Sequence, residues 1–378
     1  MDLELSDDEA ELRDNVRTVL AGISPPAVVR SAFDGEDPRP AVWAQMVDLG
    51  WPALSISEEH GGLGLGFVEQ VLVAEELGRA VVPSPLLATA TQFTPAVREL
   101  GGPMAGPLLE AVAAGQLTGA LALGEGGRWD VAAVQATARP DGDRWILDGT
   151  KHAVVDGATA DRILVIARGA AGLGAFVVDG GTVRAEPRDI LDLSTPIADL
   201  HLDSVLVSPE GVLARPGDPD VERLLRRAVE EAVVAIAAMT VGACRKVFEE
   251  TVDYAKAREQ YDRPIGSFQA LKHRMADMFL SVERAAALVY FAALTIAEEA
   301  PDRSVAASAA KAAAGDCQQL VVQEGLQLHG GIGYTWEHDL HFLLKRAKAG
   351  DVLFGNGVAH RAAVASLLGF GADAEAVA

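Results

Sequence analysis

Tyr254-Ala255-Lys256-Ala257-Arg258-Glu259-Gln260-Tyr261-Asp262-Arg263-Pro264-Ile265-Gly266-Ser267-Phe268-Gln269-Ala270-Leu271-Lys272-His273-Arg274-Met275-Ala276-Asp277-Met278 is the stretch whose reading decides the fold. It reads as the end of one helix, a turn around Pro264 and Gly266, and the start of another. The alanine-rich segments on either side, Val221 to Ala257 and Phe268 to Ala300, read as long helices. Val305 to Leu328 and a last helix over Asp339 to Leu368 follow. Helices of roughly 25–35 residues with short connections predict an antiparallel bundle. Arg258 stands at a helix end just before the turn, so its side chain reaches outward. A guanidinium is planar, always charged and rich in donors, which suits a pyrophosphate.

Upstream of the bundle the character changes twice. Residues 1–115 read as an N-terminal helical domain. Ser6 and Glu9 form a candidate capping box, and Leu12, Val16, Val19 and Leu20 recur at helical spacing until Pro25-Pro26. Glu69 to Leu77 is a second amphipathic helix, entered through Glu59-His60-Gly61-Gly62-Leu63-Gly64. No strand precedes that loop and no Gly-Lys-Ser/Thr follows it, so it reads as a tight turn rather than a phosphate cradle. Residues 116–215 read as a small β domain. Its expected strands are Val131 to Ala138, Trp145 to Leu147, Ile163 to Ala167, Ala175 to Val178 and Ala198 to Leu202. Turn signals at Pro140-Asp141-Gly142-Asp143, Asp148-Gly149 and Asp179-Gly180-Gly181 separate them. Pro216-Gly217-Asp218-Pro219 marks the entry to the bundle, residues 220–378. The expected class is mainly α with a central β domain.

Composition narrows the function classes. The 378 residues are 49% hydrophobic, and the mean hydropathy of +0.18 is that of a folded, core-rich chain. A net charge of −22 argues against nucleic acid as a partner, since phosphate binding needs clustered cations. The acidic start, Met1 to Glu9, lacks the basic and apolar regions of a signal peptide. No long uninterrupted apolar run predicts a membrane span, and Ala232 to Val241 reads as a buried helix. Cys244 and Cys317 sit in alanine-rich helical contexts and read as small buried thiols, without disulfide or metal. These features predict a cytoplasmic protein.

The helix–β–helix order, with Tyr254 to Met278 and Gln327-Leu328-His329-Gly330-Gly331-Ile332-Gly333-Tyr334-Thr335, resembles the flavin-dependent acyl-CoA dehydrogenases. In architecture the resemblance spans the chain; in motifs it is sharp only in the bundle. It implies that Arg258 and Gln269 hold the FAD of a neighbouring subunit. It also implies that Gln327, His329, Gly330 and Gly331 meet its adenosine half, His329 as a positioned structural residue rather than a base. Adjacent glycines let backbone come close to a ligand. An acyl-CoA substrate and electron-transfer flavoprotein as acceptor come with the same resemblance. Asp262 replaces the family's usual glycine.

The match fails in two places. The family's flavin ring lies against the β domain, on a Thr-Glu-Pro-Gly-Ala-Gly-Ser-Asp-like loop and a Trp-Ile-Thr/Ser segment. Here Leu121-Ala122-Leu123-Gly124-Glu125-Gly126-Gly127-Arg128-Trp129-Asp130 and Lys151-His152-Ala153-Val154-Val155-Asp156 stand in their place. The hydroxyls and the stacking ring are absent, and an isoalloxazine needs directed donors at its polar edge. The second failure is the base. The family often carries its catalytic glutamate just before the glycine of Leu353-Phe354-Gly355-Asn356, where this chain has Phe354. Some members carry it on the first bundle helix, and counting back from Arg258 lands on Ala232, beside Glu230 and Glu231. One residue along a helix turns a side chain by about 100°, so Glu231 is a weak candidate and Asp351 and Asn356 are weaker. Proton abstraction needs a carboxylate within hydrogen-bond reach. The expectation is a base-lacking chain paired with a paralogous subunit, as in heteromeric α2β2 enzymes of sterol side-chain degradation. Two other readings stay open: a homo-oligomeric dehydrogenase (tetramer or dimer) with a displaced base, and a non-enzymatic acyl-CoA-binding or scaffold protein without FAD.

Overall fold

Ser6 opens the first helix through a reciprocal cap: its hydroxyl accepts the Glu9 N–H at 3.3 Å, and the Glu9 carboxylate accepts the Ser6 N–H at 2.7 Å. From there the computed structural model describes residues 4–370. The helices before the sheet are α1 (Asp7–Ile23), α2 (Pro26–Phe33), α3 (Arg39–Asp48), α4 (Phe67–Arg79), α5 (Leu86–Ala88), α6 (Thr94–Leu100) and α7 (Ala105–Ala113). The strands are β1 (Gly119–Ala122), β2 (Thr137–Asp141), β3 (Arg144–Val155), β4 (Arg162–Gly169), β5 (Gly172–Asp179), β6 (Arg184–Pro187), β7 (Ile197–Val207) and β8 (Val212–Ala214). Then come α8 (Val221–Ala257), a two-stranded hairpin of β9 (Glu259–Gln260) and β10 (Arg263–Pro264), and α9 (Gln269–Ala297), α10 (Arg303–His329), α11 (Leu340–Val352) and α12 (Gly357–Leu367). Pro25 and Pro26 do end the first helical run, and Pro26 then serves as the first residue of α2.

The chain divides into two units. The first gathers residues 4–36, 67–82 and 233–370. Its core is built from Val234, Val241, Val282, Val289, Ala310 and Val321 with their neighbours on α4, α8, α9, α10 and α11. Helices α4 and α8 cross at reciprocal glycines. A Cβ on Gly78 would stand 1.9 Å from the Met239 carbonyl oxygen, and one on Gly242 would stand 1.8 Å from that of Glu75. Both backbones therefore touch. Gly78→Val is expected to lose at least about 1–3 kcal/mol by overpacking, whereas Gly22→Ala, in open space on α1, leaves stability equal or higher. Urea denaturation of the two variants checks this; equal midpoints would contradict the crossing. Helix α9 is long and apolar enough to cross a membrane by composition, with 44% of its apolar window buried. Met278, Val282, Ala285, Val289, Ala292 and Ala293 are that buried face. Cys244 and Cys317 are free, buried thiols, as expected.

The second unit holds residues 37–66 and 83–232. Its sheet runs β6-β7-β3-β2-β4-β5-β8, with β1 parallel to β4. Strand β4 reads as a continuous apolar run because both its faces are buried. Leu164 and Ile166 enter a core with α6 and α7, while Ile163, Val165 and Ala167 enter one formed with β3 and β7.

Three sequence expectations are corrected. Val131 to Ala138 is not one strand: Asp130 caps a 3-10 turn over Val131–Ala133, and β2 starts only at Thr137. Asp148-Gly149 is not a turn. It lies inside β3 as a bulge, and Gly149 takes φ +140°, where a side chain would be strained. The last helix breaks in two, because Phe354 and Gly355 take φ +56° and +94° and Asn356 then caps α12.

Candidate functional site

The bundle residues expected to grip a dinucleotide lie together in the first unit. Helix α8 ends at Ala257, and Arg258 follows with its N–H on the Tyr254 carbonyl. The β9–β10 hairpin turns on Tyr261 and Asp262, both left-handed at φ +55° and +61°. That pair matches the backbone of a type I′ turn, and aspartate tolerates it better than most residues. Asp262 is therefore compatible with this turn, at a position where glycine is usual in the family. Tyr254 stacks on His329 with ring centroids 4.6 Å apart. One turn of α8 therefore anchors the end of α10 close to Arg258.

The donors at this end are open. The Arg258, Gln269 and Gln327 side chains are exposed and make no ion pair or hydrogen bond among the described residues. Gly330 caps α10 at φ +61°, and neither it nor Gly331 has an atom within 4 Å of where a Cβ would stand. An uncompensated guanidinium suits a phosphate, and bare glycine backbone suits close approach of a nucleoside. His329 is buried, and its Nδ1 donates to the Gly325 carbonyl at 2.8 Å. Burial pushes its pKa below the ordinary histidine value, with the Gly325 carbonyl pulling the other way. A neutral, stacked imidazole is a structural residue.

The second unit holds the place of the family's flavin loop. Glu125 and Arg128 exchange both backbone hydrogen bonds at 2.9 Å around Gly126 and Gly127, which are left-handed. The loop is thus a tight two-residue turn. The Gly126 N–H donates to His152 Nδ1 at 3.1 Å, and the Ala153 N–H donates to Asp199 at 2.9 Å. Beneath the turn Lys151, fully buried, donates to Glu125 at 2.5 Å, and Glu125 also accepts the N–H groups of Gln135 and Ala136. Burial lowers the Lys151 pKa to about 8, while Glu125 opposes the shift. The pair braces β3 against the turn. Beside it lies a cleft of about 260 Å³ lined by Trp129, His152, Ala153 and Arg188. The main-chain N–H groups of Gly126 and Ala153 in its lining are engaged, and that lining carries no hydroxyl. These residues do not fit an isoalloxazine, although those of the bundle fit a dinucleotide tail.

At the base position Phe354 is buried, in a left-handed conformation that disfavours a bulky side chain. Two side chains hold its backbone. Lys311, fully buried, donates to the carbonyls of Asp351 and Gly355 at 2.8 and 2.6 Å, and His360 Nε2 donates to that of Phe354 at 2.9 Å. The polar candidates are engaged. Glu231 is buried against Arg98 at 2.5 Å, Asp351 pairs with Lys348 at 2.9 Å, and Asn356 accepts the Ala359 N–H at 3.0 Å. Sequence reasoning missed Lys311 and the Lys151–Glu125 pair. A lone lysine inside Ala306-Ala307-Ser308-Ala309-Ala310-Lys311-Ala312-Ala313-Ala314 was the available signal for the first.

Burial lowers the Lys311 pKa to about 7, with Asp351 opposing the shift. An unfolded lysine titrates near 10.4. Between those values the unfolded chain binds more protons, so stability rises with pH through this window. Below about 7 the folded lysine is charged and the contribution is absent. Relative to Lys311→Met, the protein is expected to gain about 1 kcal/mol per pH unit from pH 7 to 10, read by urea unfolding. A difference independent of pH would contradict it.

Comparison with known proteins gives the family. Residues 6–105 match the acyl-CoA dehydrogenase N-terminal domain, and residues 223–368 match the C-terminal domain. Acyl-CoA dehydrogenase IpdE2 of Mycobacterium tuberculosis is 34% identical over 338 residues, 89% of each chain. A Tcur3481-Tcur3483 steroid ACAD is 30% identical at a TM-score of 0.87, covering 97% of this chain and 99% of that one. The ChsE4-ChsE5 complex from Mycobacterium tuberculosis is 25% identical at a TM-score of 0.89, covering 98% and 99%. Identity of this extent along nearly the whole length, on a shared fold, makes the chain a member of the acyl-CoA dehydrogenase family.

Proposed function

We propose that this chain is a base-lacking subunit of a heteromeric, cytoplasmic acyl-CoA dehydrogenase. Its reaction is the FAD-dependent α,β-dehydrogenation of an acyl-CoA thioester, with electron-transfer flavoprotein as acceptor. The observation that carries the reading is Phe354, an aromatic ring buried in the left-handed turn where the family often places its carboxylate. The open Arg258, Gln269 and Gln327 then serve the FAD of a paralogous subunit that keeps the glutamate, with Gly330-Gly331 giving its adenosine close approach. Exposed Phe279 and Leu280 on α9 supply apolar surface for that association. The likeness to the Tcur3481-Tcur3483 steroid ACAD and to the ChsE4-ChsE5 complex supports a heteromeric assembly and a steroid-derived acyl group; the assembly we propose is a heterotetramer.

Co-expression with such a paralogue is expected to yield a stable complex carrying about half a flavin per chain, measured by absorbance against protein mass. One flavin per chain in a pure homo-oligomer that reduces a dye with acyl-CoA would establish the displaced-base alternative. A colourless complex would establish the scaffold alternative.

A further inference from the structure

We propose that Trp129 closes the flavin seat of this chain's own sheet unit, and that Gly124 is the substitution that lets it do so. The inference deepens the partner-subunit reading and rests on it. It concerns which residue denies this chain a flavin of its own.

Trp129 is fixed from both sides. Before it, the Gly126–Gly127 turn is locked by the paired Glu125 and Arg128 backbones. After it, the Asp130 carboxylate accepts the Ala132 N–H at 3.0 Å and caps the following 3-10 turn. The indole is half-buried and packs against the core that β4 shares with α6 and α7. It also lines the cleft, with Ala153 and His152.

Gly124 and Trp129 are sterically coupled. A Cβ at position 124 would lie 2.9 Å from Trp129 Nε1, 3.3 Å from its Cδ1, and 2.6 Å from the His152 carbonyl oxygen. A side chain at 124 is therefore excluded by the His152 carbonyl as well as by the indole. Glycine at 124 leaves room for the ring, which lines a cleft of about 260 Å³. Ligand pockets usually begin near ~300 Å³ for molecules smaller than a flavin dinucleotide. One aromatic side chain, admitted by one glycine, thus takes the place of directed donors.

The test is a gain of binding. Trp129→Ser and Trp129→Val are purified, checked for a cooperative thermal transition, and titrated with FAD. Dialysis and visible absorbance read the bound flavin. Both variants are expected to bind FAD at least about tenfold more tightly than the unaltered chain. Trp129→Phe keeps an aromatic plug and is expected to stay colourless. Trp129→Val retains the apolar root in the core, and it is read in place of the serine variant if that one loses its cooperative transition. Folded variants with unchanged FAD affinity would overturn the plug and leave the heteromer reading intact, since that reading is tested by co-expression stoichiometry. One flavin per chain in the unaltered protein would overturn both.

Discussion

Arg258→Ala is expected to strip flavin from the assembled enzyme while leaving the fold untouched. Arg258 is exposed and without an ion pair among the described residues, so its removal should change stability by less than about 0.5 kcal/mol. A guanidinium on a pyrophosphate makes paired, charge-assisted hydrogen bonds, each worth roughly 1.5–3 kcal/mol. Losing them should weaken flavin retention by at least about tenfold. Arg258→Lys should fall between, because an ammonium keeps the charge but not the planar fork. Fluorescence titration of the apo-complex gives the affinities, and thermal unfolding gives the control. Unchanged affinity, or a loss that follows unfolding, would remove Arg258 from the cofactor.

Phe354→Glu is the second large effect, and it should fail as a repair. The side chain at 354 is 5% exposed, so a carboxylate there loses the burial of an aromatic ring and is itself desolvated. Loss of a buried phenylalanine alone costs about 3–5 kcal/mol, and burying a charge adds to that. The backbone stays left-handed because Lys311 and His360 hold the carbonyls on either side. The purified chain is therefore expected to melt earlier and to remain without dehydrogenase activity. A variant as stable as the parent that oxidises acyl-CoA by itself would mean that only the base was missing. It would replace the partner reading with a homo-oligomeric one.

Much of the fold was legible because it is written in local pattern. The span of α8 was read from composition to the residue, and α9 and α10 within a few residues. The capping box at Ser6 and Glu9 was read the same way, since both partners lie within one turn. The β unit was read less well. Asp148-Gly149 carries a turn composition but lies within β3, because pairing with β7 overrides local preference. The break after α11 was hidden for a related reason. Nothing in Leu353-Phe354-Gly355 requires an aromatic residue to turn left-handed until Lys311 and His360 reach it from elsewhere in the chain.

By itself the sequence determined the order of helices and strands, the family resemblance and the aromatic residue at 354. Each is a property of one residue or of neighbours within a few positions. Tertiary structure alone decided that Tyr254 and His329 stack, that Glu231 is engaged by Arg98, and that the Trp129 indole lies against Gly124. Those facts depend on residues distant in sequence coming within a few ångströms, and such proximity is set by packing rather than by periodicity.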